Sequence, residues 1–276
     1  MKLAWATDIH LDCVSDVFEA VRRLKESSDR CESFVISGDI SISPMLISHL
    51  QALDDILDVP VYFVLGNHDY YLSNIEMTRR KVSDACRNFT YVRYLGALQH
   101  IKLENRVSMV GSDGWYDGHN GNPFASQFVM NDWIKIENFL PAIKSTFGGK
   151  MIDKNVVLGI ARELSASSAS KVVSGIKSCI NFSEHIIIVT HVPPFAQSCV
   201  SSKFEGADSR EVTPWYTSKI MGDTILSAAR AYPNKKFTVL SGHTHGNFEG
   251  NILNNLTVKV GKSEYGNPSV AGFIDI

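Results

Sequence analysis

The sequence predicts an α/β fold. Short apolar runs suited to buried strands alternate with segments whose apolar residues recur at helical spacing. Several of those runs lead straight into Gly, Asn, Asp or His, and no repeat, low-complexity tract or heptad array competes with that pattern. Leu3 to Ala6 is a buried strand, followed by Val14, Val17, Phe18, Val21 and Leu24 at helical spacing. Phe34 to Ser37 is a second strand ending at Gly38-Asp39, and Leu46, Ile47, Leu50, Leu53 and Leu57 mark a second helix. Pro60 to Leu65 is a third strand ending at Gly66-Asn67. This β-α-β-α-β order implies parallel pairing with right-handed crossovers. Loops after such strands share one sheet edge, where open α/β folds bind ligands.

Ser73-Asn74-Ile75-Glu76 reads as a capping box that opens a helix through about Cys86. Ile101 to Leu103 and Val107 to Val110 read as a hairpin around Glu104-Asn105-Arg106. The pattern changes at Gly111. Gly, Asn and Asp are dense over 111–122, and helical stretches follow near 131–147 and 153–179, the second carrying a small, polar run from Ser165 to Ser170. Strands resume at His185 to Val189, which leads into His191. Thr213-Pro214 starts a helix, with Pro at its first position, that runs to about Ala231. Phe237 to Leu240, Leu256 to Val260 and Val270 to Ile274 are the last strands. The expected organisation is one domain over residues 1–276, with residues 112–182 inserted as a cap beside the site.

A chain of 276 residues suits one large domain, and its 44% apolar and 20% charged residues are ordinary for a globular protein. A net charge of −2 gives no general pull toward nucleic acid or an anionic membrane. Met1 to Ala6 lacks the apolar core of a signal peptide, and no apolar stretch approaches the roughly 20 residues that span a bilayer. The five cysteines are odd in number, scattered, and form no Cys-x-x-Cys pair. That spacing argues against a disulfide framework and for a reducing compartment, so the expected location is cytoplasmic.

Five short segments carry the chemistry: Asp8-Ile9-His10, Gly38-Asp39, Gly66-Asn67-His68-Asp69, Thr190-His191 and Gly242-His243-Thr244-His245. Each follows a strand. A lone Asp after a strand usually caps or turns the chain, and Gly-Asn alone is a turn signal. Together the segments supply carboxylate, imidazole and amide oxygen, a donor set that suits manganese, iron, zinc or cobalt better than calcium. Asp8 and His10 lie two apart, so an extended backbone would aim both to one side. His243 and His245 repeat that spacing. Glycines at 38, 66 and 242 are expected to let the backbone turn sharply.

This arrangement resembles the calcineurin-like metallophosphoesterases, through Asp-x-His, Gly-Asp, Gly-Asn-His-Asp, a lone His and Gly-His-x-His, spread from residue 8 to residue 245. The resemblance implies a four-layer α-β-β-α sandwich of two mixed β-sheets flanked by helices. It implies one metal held by Asp8, His10, Asp39 and His245, and a second held by Asp39, Asn67, His191 and His243, with Asp39 bridging. Manganese or iron, or both, are the expected ions, with zinc as the alternative. The implied activity is hydrolysis of a phosphate mono- or diester by in-line attack of a metal-bridging hydroxide, between ions about 3.5–4 Å apart. His68 is expected to serve the leaving oxygen rather than bind metal, so His68 and Asp39 are the catalytic pair. The expected substrate is a small phosphorylated molecule such as a nucleotide, with no membrane partner and no nucleic acid. A protein-binding scaffold of the same fold and a DNA nuclease are the alternatives.

One position departs from two subfamilies. Ser/Thr protein phosphatases carry an Asp three residues after the bridging Asp, and purple acid phosphatases carry a Tyr; here it is Ile42. The orientation of His68 must therefore come from elsewhere. Asp69 is read either as orienting a neighbour or as capping the next segment. His49, His100 and His185 are read as structural. Trp115, Tyr116 and His119 are read as cap packing or substrate contacts, and Lys203 and Arg210 as solvated or phosphate-contacting.

Overall fold

Strand alternation sets the layers. Successive side chains of a strand face opposite ways, and the first strand, β1 (Lys2–Ala6), divides its apolar residues accordingly. Leu3 and Trp5 pack among residues of a second sheet, whereas Ala4 and Ala6 pack against helices. A computed structural model describes residues 1–28, 30–146, 149–199 and 209–276. The elements that follow β1 are α1 (Val17–Ser27), β2 (Ser33–Ser37), α2 (Ser43–Leu57), β3 (Val61–Val64), α3 (Ile75–Ala85), β4 (Val92–Tyr94), β5 (Ile101–Lys102) and β6 (Val107–Gly111). Next come α4 (Asp132–Lys135), β7 (Ile143–Thr146), β8 (Gly149–Ile152), α5 (Lys154–Cys179), β9 (His185–Val189), α6 (Ser209–Tyr216) and α7 (Lys219–Ala231). The chain closes with β10 (Lys236–Ser241), β11 (Phe248–Leu253), β12 (Leu256–Val260) and β13 (Val270–Asp275).

The first sheet has the order β13-β1-β2-β3-β4 and the second β11-β12-β10-β9-β6-β5. β1 to β4 run parallel and β13 antiparallel. In the second sheet β6, β9, β10 and β12 run parallel, with β5 and β11 as antiparallel edges. Leu3, Trp5, Val35 and Val64 of one sheet and Met109, Ile187, Val189 and Leu240 of the other form the buried seam between them. The outer face of the first sheet packs on α1, α2 and α3, and that of the second on α5 and α7. The result is the expected arrangement of two mixed sheets flanked by helices.

Several local expectations change. Residues 131–147 form only the one-turn α4, a 3₁₀ stretch Glu137–Ala142 and then strand β7, paired in a hairpin with β8. Pro141 inside that stretch lacks the N–H that a longer α-helix would need there. The helix after residue 153 forms in full, because its small side chains admit close packing: Ser165 Oγ lies 2.8 Å from Ser218 Oγ. Asn74, not Ser73, caps α3, accepting from the Met77 N–H at 3.0 Å. Pro214 lies inside α6, and α7 starts separately with Ser218 as its cap. β4 and β11 escaped the sequence reading. β4 is only three residues long, and the exposed side chains of the edge strand β11 give no continuous apolar run.

Candidate metal centre

The loops after β1, β2, β3, β9 and β10 meet where the carboxyl ends of parallel strands from both sheets converge. Their backbones leave the strands abruptly. Asp8, His10, Asp39, His243 and His245 all adopt left-handed conformations, with φ of 48°, 39°, 51°, 67° and 56°. For a residue with a Cβ this costs on the order of 1–3 kcal/mol each and persists only where neighbours enforce it. Here they do: the Asp8 N–H donates to Gly38 O at 3.0 Å, His10 to Asp39 O at 3.0 Å, and Leu11 to Ile40 O at 2.8 Å. Asp8 and His10 therefore converge through left-handed turns, not through the extended backbone that their spacing suggested.

Two glycines also have a different reason from the expected one. Gly38 does turn the chain, at φ 96°. Gly66 and Gly242 lie outside the positive-φ region and are needed for clearance. A Cβ at Gly66 would strike the Asp39 carboxylate, and one at Gly242 would strike Thr7 Oγ1 and the Asp8 carboxylate.

The structure brings all eight predicted site residues together. Asp8, His10, Asp39 and His245 place donor atoms within 4.8 Å of one another, and so do Asp39, His191 and His243. Asp39 belongs to both groups. Asn67 joins the second, with Oδ1 at 3.0 Å from His191 Nε2. His245 Nε2 lies 3.3 Å from Asp8 Oδ1 and 3.2 Å from His10 Nε2. His68 Nε2 stands 4.0 Å from Asp39 Oδ2, outside both groups, with its ring 4.3 Å from Tyr71 and edge-on to His10 at 4.7 Å. These rings, and the bond from the His68 N–H to Asp39 Oδ1 at 2.9 Å, orient it where Ile42 cannot.

The donor chemistry fits a pair of cations. His191 Nδ1 lies 2.9 Å from the Ser37 carbonyl, so Nδ1 carries the proton and Nε2 presents its lone pair. That lone pair faces Asn67 Oδ1 and, at 3.4 Å, Asp39 Oδ1. Three acceptors turned on one another repel unless a cation or a proton lies among them. His10 and His245 bring two imidazole nitrogens together in the same way, and His10 Nδ1 is buried without a partner among the described residues. Charge follows this crowding. Burial alone would depress His191, but Asp39 and Asp8 overcome it and push its pKa up to about 10, so a proton on Nε2 takes the place among these acceptors that a cation would fill. Burial likewise opposes ionisation of Asp39, and the histidines around it, His191 foremost, hold its pKa well below the usual carboxylate range. His10 is pushed down to about 3, chiefly by burial.

Three further aspartates support the loops. Asp69, fully buried, accepts from the N–H groups of Gly66 at 2.8 Å, Ser41 at 2.8 Å and Ile40 at 3.0 Å, and so locks the second loop to the third. Asp113 accepts from the Leu65 N–H at 3.0 Å. Asp132 accepts from Asn67 Nδ2 at 2.8 Å and the Tyr71 hydroxyl at 2.9 Å, which turns Asn67 Oδ1 toward His191. Asp113 and Asp132 escaped the sequence reading, because nothing local marks an Asp whose partners lie far along the chain.

A cavity of ≈ 130 Å³ opens onto the cluster, walled by Tyr71, Tyr216, Tyr265, Met130 and Asn131. Tyr265 is 49% exposed and its ring lies 4.2 Å from that of His10. None of these walls was anticipated, although Tyr71 sits three residues past His68, just beyond the Gly66-Asn67-His68-Asp69 segment. For the residues read either as cap packing or as substrate contacts, packing holds for the aromatic pair. Trp115 and Tyr116 are core residues, 1% and 0% exposed. His119 lies at the surface with Nδ1 3.4 Å from Asp117 Oδ1, and neither it nor Arg210 lines the cavity. Lys203 lies outside the described residues. His49, His100 and His185 are also remote from the site, the last two lying 2.7 Å from Ser178 Oγ and 2.8 Å from Thr238 Oγ1.

A family model described as calcineurin-like phosphoesterase matches residues 1–247. Among solved structures, a phosphopantetheinyl hydrolase from Mycobacterium tuberculosis superposes with a TM-score of 0.66 at 12% identity, over 96% of this chain and 90% of that one. A dimetal phosphatase from Danio rerio superposes with a TM-score of 0.54 at 12% identity, over 95% and 87%. At such identities the likeness is one of fold. No curated protein matches the sequence.

Proposed function

Because the chain belongs to the calcineurin-like phosphoesterases, and is thus a metal-dependent phosphoric ester hydrolase, we propose that it cleaves a small phosphate mono- or diester at a dinuclear centre. Asp8, His10, Asp39 and His245 hold one cation. Asp39, Asn67, His191 and His243 hold the other. The observation that carries this reading is the pair of donor groups sharing Asp39. Manganese or iron suits the mixed oxygen and imidazole donors. Two such ions would acidify water and offset charge on the phosphoryl oxygens. The side chains do the rest. The Asp132 carboxylate keeps the Asn67 amide turned toward His191, and Tyr71, Tyr216 and Tyr265 wall the cavity against bulk water.

The substrate is a small phosphorylated molecule such as a nucleotide. A cavity of ≈ 130 Å³ suits a phosphoryl group better than a duplex, and a net charge of −2 does not favour nucleic acid. Residues 1–276 act as one domain, with 112–182 as its cap; Met130 and Asn131 from that region reach the cavity rim. Among the described residues no helix is long and apolar enough to cross a membrane. The five scattered cysteines, none in a Cys-x-x-Cys pair, support a reducing, cytoplasmic setting. The test is hydrolysis of aryl phosphomonoesters and diesters by manganese-loaded and chelated protein. The loaded form should turn over and the chelated form should not, and equal rates would count against a metal role.

His68 donates to the leaving oxygen. His68→Ala should keep both ions, measured by elemental analysis, yet slow turnover on the order of 10²–10⁴-fold. Alkyl phosphates should suffer more than nitrophenyl phosphates, whose leaving group needs no proton. An equal loss on both would remove His68 from that role.

A further inference from the structure

A second cavity, of ≈ 190 Å³, lies between α3 and α5 and shares no lining residue with the cavity over the metal centre. Two cations reach it, Arg79 from α3 and Lys171 from α5. Arg79 commits only Nε, to Asp113 Oδ2 at 2.8 Å and the Tyr70 hydroxyl at 3.1 Å, which leaves its terminal N–H groups without acceptors among the described residues. Lys171 has no ion pair or hydrogen bond among those residues.

The carboxylate at the cavity wall cannot neutralise both. Asp113 already accepts from the Leu65 N–H, the Tyr70 and Tyr94 hydroxyls and Arg79. The lining therefore carries an excess positive charge beside unused donors. Ser168 adds a second, independent sign. It is 3% exposed, lines the same cavity, and its hydroxyl has no partner among the described residues. A buried hydroxyl left unpaired is costly, and a ligand oxygen is one way to satisfy it.

We propose that this cavity is a second, non-catalytic site for a small tetrahedral oxyanion of the phosphate class, held by Arg79, Lys171 and Ser168. A planar guanidinium, a point-charge ammonium and a hydroxyl together match the three or four oxygens of such an ion. The inference rests on these side chains and not on the reading of the metal centre.

Lys171 is partly exposed and touches nothing in the metal centre, so its replacement tests the site without disturbing the fold. The probe is inorganic phosphate, titrated calorimetrically into the full, manganese-loaded chain. Wild type should bind, beyond any phosphate taken up at the manganese centre, one further phosphate per chain that Lys171→Gln loses or binds on the order of tenfold more weakly. Ser168→Ala should weaken the same event. Hydrolysis measured without added phosphate should match wild type in Lys171→Gln. Identical phosphate isotherms for wild type and Lys171→Gln would overturn the proposal. A chain inactive on every ester yet showing the Lys171-dependent event would retain this site while losing the proposed reaction.

Discussion

Asp39→Asn should reduce hydrolysis of an aryl phosphate by at least on the order of 10²–10³-fold, the scale set by removing one preorganised electrostatic group. It should also lower metal content at both positions. Asp39 is the one carboxylate common to both donor groups. Its oxygens lie 3.4 Å from His191 Nε2 and 3.9 Å from His10 Nε2, so each half of the centre depends on it. Asn keeps the volume and one oxygen but removes the charge that a pair of cations needs. The same charge is the main influence that raises the His191 pKa against burial, and the variant removes it. Near-UV circular dichroism should stay close to wild type, because the amide oxygen of the variant can still accept from the His68 N–H, which Asp39 now holds at 2.9 Å. Two ions per chain and turnover within tenfold of wild type in this variant would sink the shared-ligand reading.

The difference between Asp39 and Asp132 explains how much of this site the sequence revealed. Asp39 follows an apolar strand and a glycine, a local pattern that repeats at Asn67 and His243, while Asp8 and His191 follow an apolar strand and a threonine, so the donor set and the parallel strands beneath it were legible. Asp132 lies in a region of mixed composition and acts on Asn67 across a long stretch of chain. No spacing rule links the two. The left-handed backbone at Asp8 and His10 was hidden for a related reason: it is imposed by the Gly38, Asp39 and Ile40 carbonyls of another loop, not by local preference. Trp115 and Tyr116 left two readings open. An aromatic pair in a glycine-rich loop could pack the cap or face a ligand, and burial against Tyr70, Phe139 and Trp215 claims both rings. The cavity walls come instead from Tyr71, Tyr216 and Tyr265, which are distant in sequence and share no motif.

Gly66→Ala should disable the enzyme nearly as fully as Asp39→Asn, although it removes no donor atom. The backbone at Gly66 is not in the positive-φ region, so alanine there meets no conformational penalty of its own. The obstacle is space. The added Cβ would stand 2.5 Å from the Asp39 backbone nitrogen and collide with the Asp39 carboxylate. A side chain alone could swing aside, but the nitrogen belongs to a loop fixed by the His10 N–H on Asp39 O and by Asp69 on Ile40 and Ser41. The two loops must therefore separate. Separation moves Asp39 and Asn67 apart and opens both halves of the centre at once. The expected cost is about 1–3 kcal/mol of folding stability, read as a lower urea midpoint, together with loss of bound metal and turnover. Gly159, in α5 with open space where its Cβ would stand, is the control. Gly159→Ala should leave metal and activity unchanged and raise stability by about 0.5–1 kcal/mol. Full activity in Gly66→Ala would mean that the loops do not approach as closely as Asp39 and Gly66 do here.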